Sequence, residues 1–346
     1  MKRTRWMLAA TLVLLVGGIG FGLMGAYGRI AVQANASNIP GIVAYLPKDA
    51  NVVGYVDVRK LIYSPAYQAF EKDHGDEFTA HLQEFIAETG LDPRSDIDAV
   101  AFAARTGDTK SSPIAIVAGN YRDKQAKLES LIQTKGQATL TQYGKYKLFT
   151  NPNRKPDDAH PNAHQETAAF LDGSKLVFGN IDSVKSTIDA FESGERNGIL
   201  SNPEFNQLIS QTRTEGTFWL VSTNMSFMNH FQKEAAGAPE QVRQNIPKIQ
   251  NLILEADLGN MVTASLRSQC TDEVMAKNLG DFVRGLVALG NMVTSQQPEL
   301  AGLLQGVSVT QDKKMVEVNI SLPFETIRGI QKMDKSKLTN SMIKTF

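Results

Sequence analysis

The sequence predicts an α+β fold, with antiparallel sheets covered on one face by amphipathic helices, after an N-terminal membrane helix. Short runs rich in Val, Ile, Tyr and Phe are separated by turn residues, a pattern typical of hairpins. Between the hairpins, apolar residues recur at helical spacing. The order lacks the regular strand-helix alternation that a doubly wound parallel sheet requires, so antiparallel pairing is favoured.

The N-terminal segment has the composition of a membrane helix. Lys2, Arg3 and Arg5 precede an uncharged stretch over residues 6–28, which as a helix is roughly 34 Å long and can cross a bilayer core. Because basic residues stay in the cytoplasm, we expect the rest of the chain on the other side of the membrane, outside the cytoplasm. Small residues within 32–36 also match the two positions that signal peptidase recognises. The segment can therefore be either a retained membrane anchor or a cleaved signal peptide.

Small residues recur along one side of this N-terminal segment. Gly18, Gly22 and Ala26 are four residues apart, a spacing that lets two membrane helices approach closely. Glycine is also common filler in such segments, so the pattern alone does not decide between these interpretations.

The composition of the chain after residue 36, which we call the outer region, limits the kinds of partner that this region can bind. Four of the 36 basic residues and none of the 36 acidic ones lie before that point, so the outer region is mildly acidic. This argues against a nucleic-acid partner, which needs a concentrated basic face. Cys270 is the only cysteine, so no intramolecular disulfide can form, and we expect it to be a small half-buried apolar residue.

The first half of the outer region has clear local patterns. A Val-rich run over 52–58 predicts a strand, and Ser64-Pro65 has the cap-and-proline pattern of a helix start. A second helix, whose apolar side includes Phe78, ends at Gly90. The elements predicted after it are strands 97–105 and 113–119, a helix over 121–133, hairpins over 138–150 and 167–179, and a helix ended by Gly194.

The second half follows with similar patterns. Asn202-Pro203 repeats the cap-and-proline start, and a strand follows over 217–223. Alternation over 252–258 and 262–266 predicts a hairpin with one dry and one wet face, with Glu255 on the wet face. The last predicted elements are a long helix from Asp272 with an apolar side of Met275, Leu279, Phe282, Val283, Leu286 and Val293, strands 307–310 and 315–322, and a helix over 324–332.

The two halves contain the same order of elements, β-α-β-β-α-β-β with an added hairpin in the first. This order predicts an internal duplication, and a single α+β domain without a repeat is the alternative. The corresponding division of the chain is 1–36 as signal peptide or membrane anchor, 37–200 as the first half, 201–333 as the second half and 334–346 as a weakly ordered tail.

Several short runs resemble a group of uncharacterised exported bacterial envelope proteins. These runs are Leu-Pro-Lys-Asp-Ala at 46–50 before the strand 52–58, Leu-Val-Phe-Gly-Asn at 176–180, and Gln-Pro-Glu-Leu at 297–300 before the last strand pair. The resemblance covers most of the outer region through loose apolar patterns. It implies a bacterial envelope location and an α+β fold, and it implies no activity.

Potential metal ligands gather in one polar loop, where Asp157, Asp158, His160 and His164 lie close together in the sequence. Carboxylate and imidazole groups can bind a transition metal. Pro161 separates the two histidines, however, so they cannot share a helix face, and a solvated loop is the favoured interpretation. No catalytic motif is present, and we expect no cofactor and no metal.

Aromatic residues in the second half suggest an apolar pocket. Phe218 and Trp219 on the predicted strand, Phe227 and Phe231 after it, and Phe282 on the long helix could line a site for an apolar ligand. Packing in the core explains the same residues. The two interpretations predict different positions for these rings, either around a cavity or inside a filled core.

The sequence therefore favours a non-enzymatic envelope protein that binds a partner protein, a lipid or another apolar ligand outside the cytoplasm. Its contact with the membrane is through residues 6–28. The alternative is an envelope enzyme, a hydrolase, whose site is assembled only in three dimensions. A purely structural role is a third hypothesis.

Overall fold

A computed structural model describes residues 40–73, 75–105, 112–151, 166–223, 249–294 and 304–331. These residues form an α+β structure with one large antiparallel sheet, which confirms the predicted class and the predicted antiparallel pairing. The segment 6–28 with its small residues and the tail 334–346 lie outside the described residues.

Twelve strands form the sheet. They are β1 Val52–Asp57, β2 Ile97–Arg105, β3 Ser112–Gly119, β4 Thr139–Tyr143, β5 Tyr146–Thr150, β6 Glu166–Asp172, β7 Lys175–Asn180, β8 Phe218–Ser222, β9 Ile249–Leu258, β10 Met261–Cys270, β11 Val307–Asp312 and β12 Met315–Pro323. Their order across the sheet is β11-β12-β10-β9-β8-β1-β2-β3-β7-β6-β5-β4. The predicted hairpins are all present because their turns are specified locally.

The helices begin and end near the predicted signals. They are α1 Val58–Ile62, α2 Pro65–Asp73, α3 Gly75–Thr89, α4 Pro93–Asp96, α5 Gln125–Thr134, α6 Ile181–Glu192, α7 Pro203–Ser210, α8 Glu273–Thr294 and α9 Phe324–Gln331, with 3-10 turns at Val43–Tyr45 and Ile199–Ser201. At the start of α7, the side chain of Asn202 accepts a hydrogen bond from the backbone N–H of Glu204. Gly90 follows α3 with a φ of 74°, which L side chains rarely adopt.

The order of strands repeats on the two sides of the sheet. In the first half it is β1-β2-β3-β7-β6, and in the second it is β8-β9-β10-β12-β11. β1 and β8 pair antiparallel in the middle, so one continuous sheet runs through both halves. The hairpin β4–β5 extends the first half beyond β6. The boundaries of the halves, 37–200 and 201–333, stay a prediction.

The expectation that helices cover only one face is wrong for the middle of the sheet. On one side, Val53 and Tyr55 pack in a buried cluster with residues of α6 and α7. On the other side, Val56 packs in a second cluster with residues of α1, α3 and α5. The strand 52–58 is apolar on both faces, as strands between two helical layers are. We call the first side the α6 face. We call the second side the α8 face, because the residue pairing from β1 through β8, β9 and β10 to β12 places the residues that contact α8 on that side.

The predicted wet face of the β9–β10 hairpin is also partly wrong. Glu255 lies on the α6 face, which is the side of this hairpin predicted to be wet, but it is only 3 % exposed. The backbone N–H of Arg213 donates to Glu255 Oε1 at 2.5 Å, and the Arg213 guanidinium donates to Oε2 at 2.9 and 3.1 Å. Arg267 donates to Oε1 at 2.5 Å and to the carbonyl of Gln211 at 2.8 Å. The segment after α7 therefore covers Glu255 and pairs it with two arginines.

Two buried tyrosines make the free energy of unfolding depend on pH in the alkaline range. Burial raises the pKa of Tyr55 to about 12, with smaller effects from Asp57 and Asp98, and burial likewise raises the pKa of Tyr67 to about 12. The folded state therefore keeps both phenols neutral at pH values where the unfolded chain, with the ordinary pKa of 10.0, ionises them. Their stabilising effect is complete below pH 10 and is lost as pH rises through 12.

We expect urea denaturation to show this loss as a falling unfolding free energy between pH 10 and pH 12. The fall should reach up to about 2 kcal/mol per tyrosine after allowance for solvent screening. The matched control is the double variant Tyr55→Phe and Tyr67→Phe, in which this part of the pH dependence should disappear. An unchanged pH profile in the double variant would contradict the assignment.

Candidate functional site

Two of the aromatic residues expected to form a pocket, Phe218 and Trp219, are not brought together. Phe218 and Trp219 are neighbours on β8, so their side chains lie on opposite faces of the sheet. Trp219 stacks on Tyr55 in the α6-face cluster, with ring centroids 6.0 Å apart. Phe218 stacks on Phe102 in the other cluster at 6.3 Å. Both rings are buried packing residues, as the alternative interpretation predicted.

The remaining predicted residues divide between described and undescribed parts of the chain. Phe227 and Phe231 lie outside the described residues, as do the metal candidates Asp157, Asp158, His160 and His164. Phe282 is on α8 and half-buried. Within the described ranges, no group of three or more His, Cys, Asp or Glu side chains is placed to hold a metal ion.

Cys270 is fully buried in the sheet, whereas the sequence predicts half burial. It packs with Met275 and Val316 under the first turns of α8. Burial raises the pKa of its thiol, with a smaller contribution from Asp272. A catalytic cysteine needs the opposite shift, because the thiolate is the nucleophile. Cys270 therefore gives no support to the hydrolase hypothesis.

A depression of about 300 Å³ opens between α5, β5 and β6. Its lining includes Glu129, Lys147 and Asp172, and Lys147 Nζ lies 2.7 Å from Glu129 Oε2. A charged and ion-paired lining does not match an apolar ligand, which requires mostly apolar walls. This depression is therefore a poor candidate for the predicted binding site.

The first half of α8 is held firmly on the sheet. The side chain of Asp272 accepts the backbone N–H of Met275 at 2.8 Å and caps the helix. Met275 and Ala276 are buried and pack against Cys270 and Val316. This half of the helix matches the amphipathic pattern that the sequence predicts, with its apolar side on the sheet.

Charged residues mark the solvent side of α8. Asp281 lies between Lys277, at 2.5 Å, and Arg284, at 2.9 Å, at the spacings that place side chains on one helix surface. From residue 285 to residue 294 the helix has no charged residue. Among the described side chains of this part of the helix, Leu286, Ala288 and Leu289 are exposed, so apolar residues face water there.

Two exposed leucines and one half-buried phenylalanine form an apolar surface from the middle of α8 onward. Phe282, Leu286 and Leu289 are spaced i, i+4 and i+7 and share one side of α8; we call them the α8 stripe. Leu286 is 50 % exposed and Leu289 is 57 % exposed. The sequence predicts Phe282 and Leu286 for the apolar side but does not single out Leu289. The uncharged run over 285–294 is the signal that identifies it.

No helix in the described part of the chain is long and apolar enough to cross a membrane. The exposure of Leu286 and Leu289 makes the α8 stripe a feature of the protein surface, between the charged side of the helix and the side on the sheet. Adjacent exposed apolar side chains of this kind commonly mark contact sites for proteins, lipids or other apolar ligands.

Fold and surface define the chain as an α+β protein built on one antiparallel sheet, with an exposed apolar helix surface near one edge. Over residues 7–261 it matches the family described as protein of unknown function (DUF3352), and the chain belongs to that family. A comparison with curated proteins finds no match.

Solved structures of TP0453 are similar over most of the chain. Crystal form I has 11 % sequence identity and a TM-score of 0.45, covering 86 % of this chain and 98 % of TP0453. Form III has 12 % identity and a TM-score of 0.45, covering 85 % and 97 %. Form IV has 12 % identity and a TM-score of 0.46, covering 86 % and 98 %. Similarity at this level says nothing about function.

Proposed function

We propose that this protein is a non-enzymatic binding protein of the bacterial envelope, anchored by residues 6–28, that works on the periplasmic side of the inner membrane. Its α8 stripe binds lipid at the membrane surface. The observation that carries the proposal is the solvent exposure of Leu286 and Leu289, which lie between the ion-paired side of α8 and the side packed on the sheet. Helices with this distribution can lie in the interface between water and lipid.

Lipid is favoured over a freely diffusing ligand because the stripe alone binds weakly. Burying the exposed halves of Leu286 and Leu289 contributes roughly 2–3 kcal/mol, which corresponds to association no tighter than about the millimolar range. The chain between 28 and 40, however, spans at most roughly 40 Å. An anchored domain therefore stays beside the bilayer, at an effective concentration in the millimolar range, where weak contacts suffice.

The same proposal includes an internal duplication of the outer region. Its two halves are 37–200 and 201–333, and the repeated strand order on the two sides of the sheet supports it. In this duplication α5 of the first half corresponds to α8 of the second half. Lys127 and Glu129 interrupt the apolar residues of α5, so the α8 stripe has no equivalent there. The uncharged end of α8 would then have been acquired by the second copy alone.

The proposal predicts that Leu289 contacts lipid and that its neighbour Ala288, on the solvent side, does not. The full chain with Cys270→Ala and Leu289→Cys would be labelled with an environment-sensitive fluorophore and reconstituted into vesicles. We expect the label at 289 to emit at shorter wavelength and to be quenched at least twofold by lipids with nitroxide-labelled chains. Ala288→Cys, also exposed, is the matched control and should report a water-like environment.

Three outcomes would reject lipid as the ligand. The labels at 288 and 289 could report the same aqueous environment. The label at 289 could emit at shorter wavelength without being quenched by nitroxide-labelled lipid chains, which would indicate a protein contact. Native mass spectrometry of envelope-purified protein could show a partner chain or a different apolar ligand bound in stoichiometric amount.

A further inference from the structure

The edge strand β4 is unusually unprotected. It ends the sheet beside β5, and Thr139, Leu140, Thr141 and Gln142 are all exposed. The strand contains no charged residue and no proline, the usual features that prevent an edge from pairing with another chain. Thr, Leu and Tyr in this strand instead favour β structure.

The register of the β4–β5 hairpin shows which backbone groups are free. Tyr143 pairs with Tyr146 across a two-residue turn, Thr141 pairs with Leu148, and Thr139 pairs with Thr150. In such a hairpin the pair that closes the turn is hydrogen-bonded, and hydrogen-bonded pairs then alternate along the strands. The N–H and C=O groups of Leu140 and Gln142 therefore point away from β5. No strand of the described structure pairs with them there.

The opposite edge of the sheet is different. β11 is in contact with α8 along one face, and Val309 packs in the cluster beneath that helix. Lys313 and Lys314 form the turn at its end. Helix cover and lysine are two of the features by which natural sheets protect an edge. Both β11 and β4 end the described sheet, and β4 is the less protected edge because it contains no charged residue, whereas β11 contains Asp312 and is followed by two lysines.

We propose that β4 pairs antiparallel with β4 of a second copy of this chain, across a two-fold axis at Thr141. Leu140 then lies opposite Gln142 of the second copy, and Gln142 lies opposite its Leu140. The free groups of these two residues make four backbone hydrogen bonds across the axis. Thr141 faces its own equivalent. No like charges face each other, and Thr–Thr pairs are favourable cross-strand neighbours.

Two arguments favour a second copy over a different partner strand. An interface centred on one residue and its own equivalent is self-complementary, as a two-fold dimer requires. The N-terminal segment also has the small-residue spacing of Gly18, Gly22 and Ala26, which permits close approach of two membrane helices. Two copies anchored in one membrane would meet at high effective concentration. The dimer does not depend on lipid binding by the α8 stripe.

Cysteine cross-linking tests the pairing and its register. In the full chain with Cys270→Ala, kept in the membrane, Thr141→Cys should form a disulfide-linked dimer on mild oxidation. Directly opposed residues of a non-hydrogen-bonded pair have Cα atoms about 4.5 Å apart, within disulfide range. Thr139→Cys is the matched control. In the proposed register Thr139 lies opposite Tyr143 of the second copy, so the two cysteines at 139 are four residues, roughly 13 Å, apart along the strands. The yield of the disulfide-linked dimer should therefore be at least fivefold lower than for Thr141→Cys.

A charge substitution tests the same contact without oxidation. Thr141→Lys places two ammonium groups opposite each other and should raise the dimer dissociation constant at least tenfold. In Thr139→Lys the lysine faces Tyr143 of the second copy, so this variant should change the dimer dissociation constant less than threefold. Both positions are exposed, so the melting temperature of the monomer should stay unchanged for both variants.

The pairing would be refuted by equal cross-linking of Thr139→Cys and Thr141→Cys, by no cross-linking at 141, or by stronger cross-linking of Thr310→Cys on β11. The substitution Leu289→Ala should leave the dimer at 141 intact. This result separates the dimer from the membrane contact of the α8 stripe.

Discussion

Replacing Glu255 with glutamine is expected to lower the free energy of unfolding by about 3–5 kcal/mol, the range for removing one partner of a buried ion pair. The side chain of Glu255 is 5 % exposed, and those of Arg213 and Arg267 are 21 % and 17 % exposed. A glutamine of the same shape leaves two guanidinium groups without their counter-charge in a poorly solvated position. The segment that follows α7 would also lose its main contact with the sheet.

Urea denaturation of the wild-type and Glu255→Gln chains measures this loss directly. The matched control is Lys277→Ala, which removes an ion pair on the surface of α8, where each side chain is about half exposed or more. Exposed pairs contribute roughly 0–1 kcal/mol, so the control should change stability little. If Glu255→Gln lost less than about 1 kcal/mol, the buried network would not be a main contact between the segment after α7 and the sheet.

Trp219→Ala should destabilise the protein by a similar amount, about 3–5 kcal/mol. Trp219 is fully buried, and its ring stacks on Tyr55 between β8 and β1, where the two halves of the sheet meet. Removing the indole leaves a cavity that packed neighbours cannot fill without strain. The thermal or urea unfolding curve of the variant gives the value.

Leu289→Ala provides the comparison for Trp219→Ala. Leu289 is 57 % exposed, so its truncation should cost less than about 0.5 kcal/mol of folding free energy. A large loss for Trp219→Ala with a small one for Leu289→Ala would separate packing residues from the surface proposed to bind lipid. A loss below about 1 kcal/mol for Trp219→Ala would mean that its site in the core is loosely packed.

Local structure was predictable because its causes are local. The start of α7 depends on the side chain of Asn202 and on Pro203, and the end of α3 depends on Gly90, which adopts a positive φ. Hairpin turns and apolar spacing are likewise read from a few neighbouring residues. These signals were sufficient for the class of fold and for most element boundaries.

The burial of Glu255 could not be predicted in this way. Its place on a polar strand face is evident from alternation, but its cover comes from Arg213, which is 42 residues away in the sequence. The same limitation applies to the candidate site. The pattern of α8 shows which side chains are apolar, whereas the exposure of Leu286 depends on how far the sheet extends beneath the helix. Covering of a surface by distant segments has no signature in local spacing.

The central pairing of β1 with β8 has a consequence for the newly made chain. Val56 lies opposite Phe218, about 160 residues later, so one side of β1 stays open until most of the polypeptide has been synthesised. During that interval an apolar strand with free backbone groups is exposed to other chains. A folding helper that shields this strand would therefore act mainly on nascent molecules, before the sheet closes at its middle.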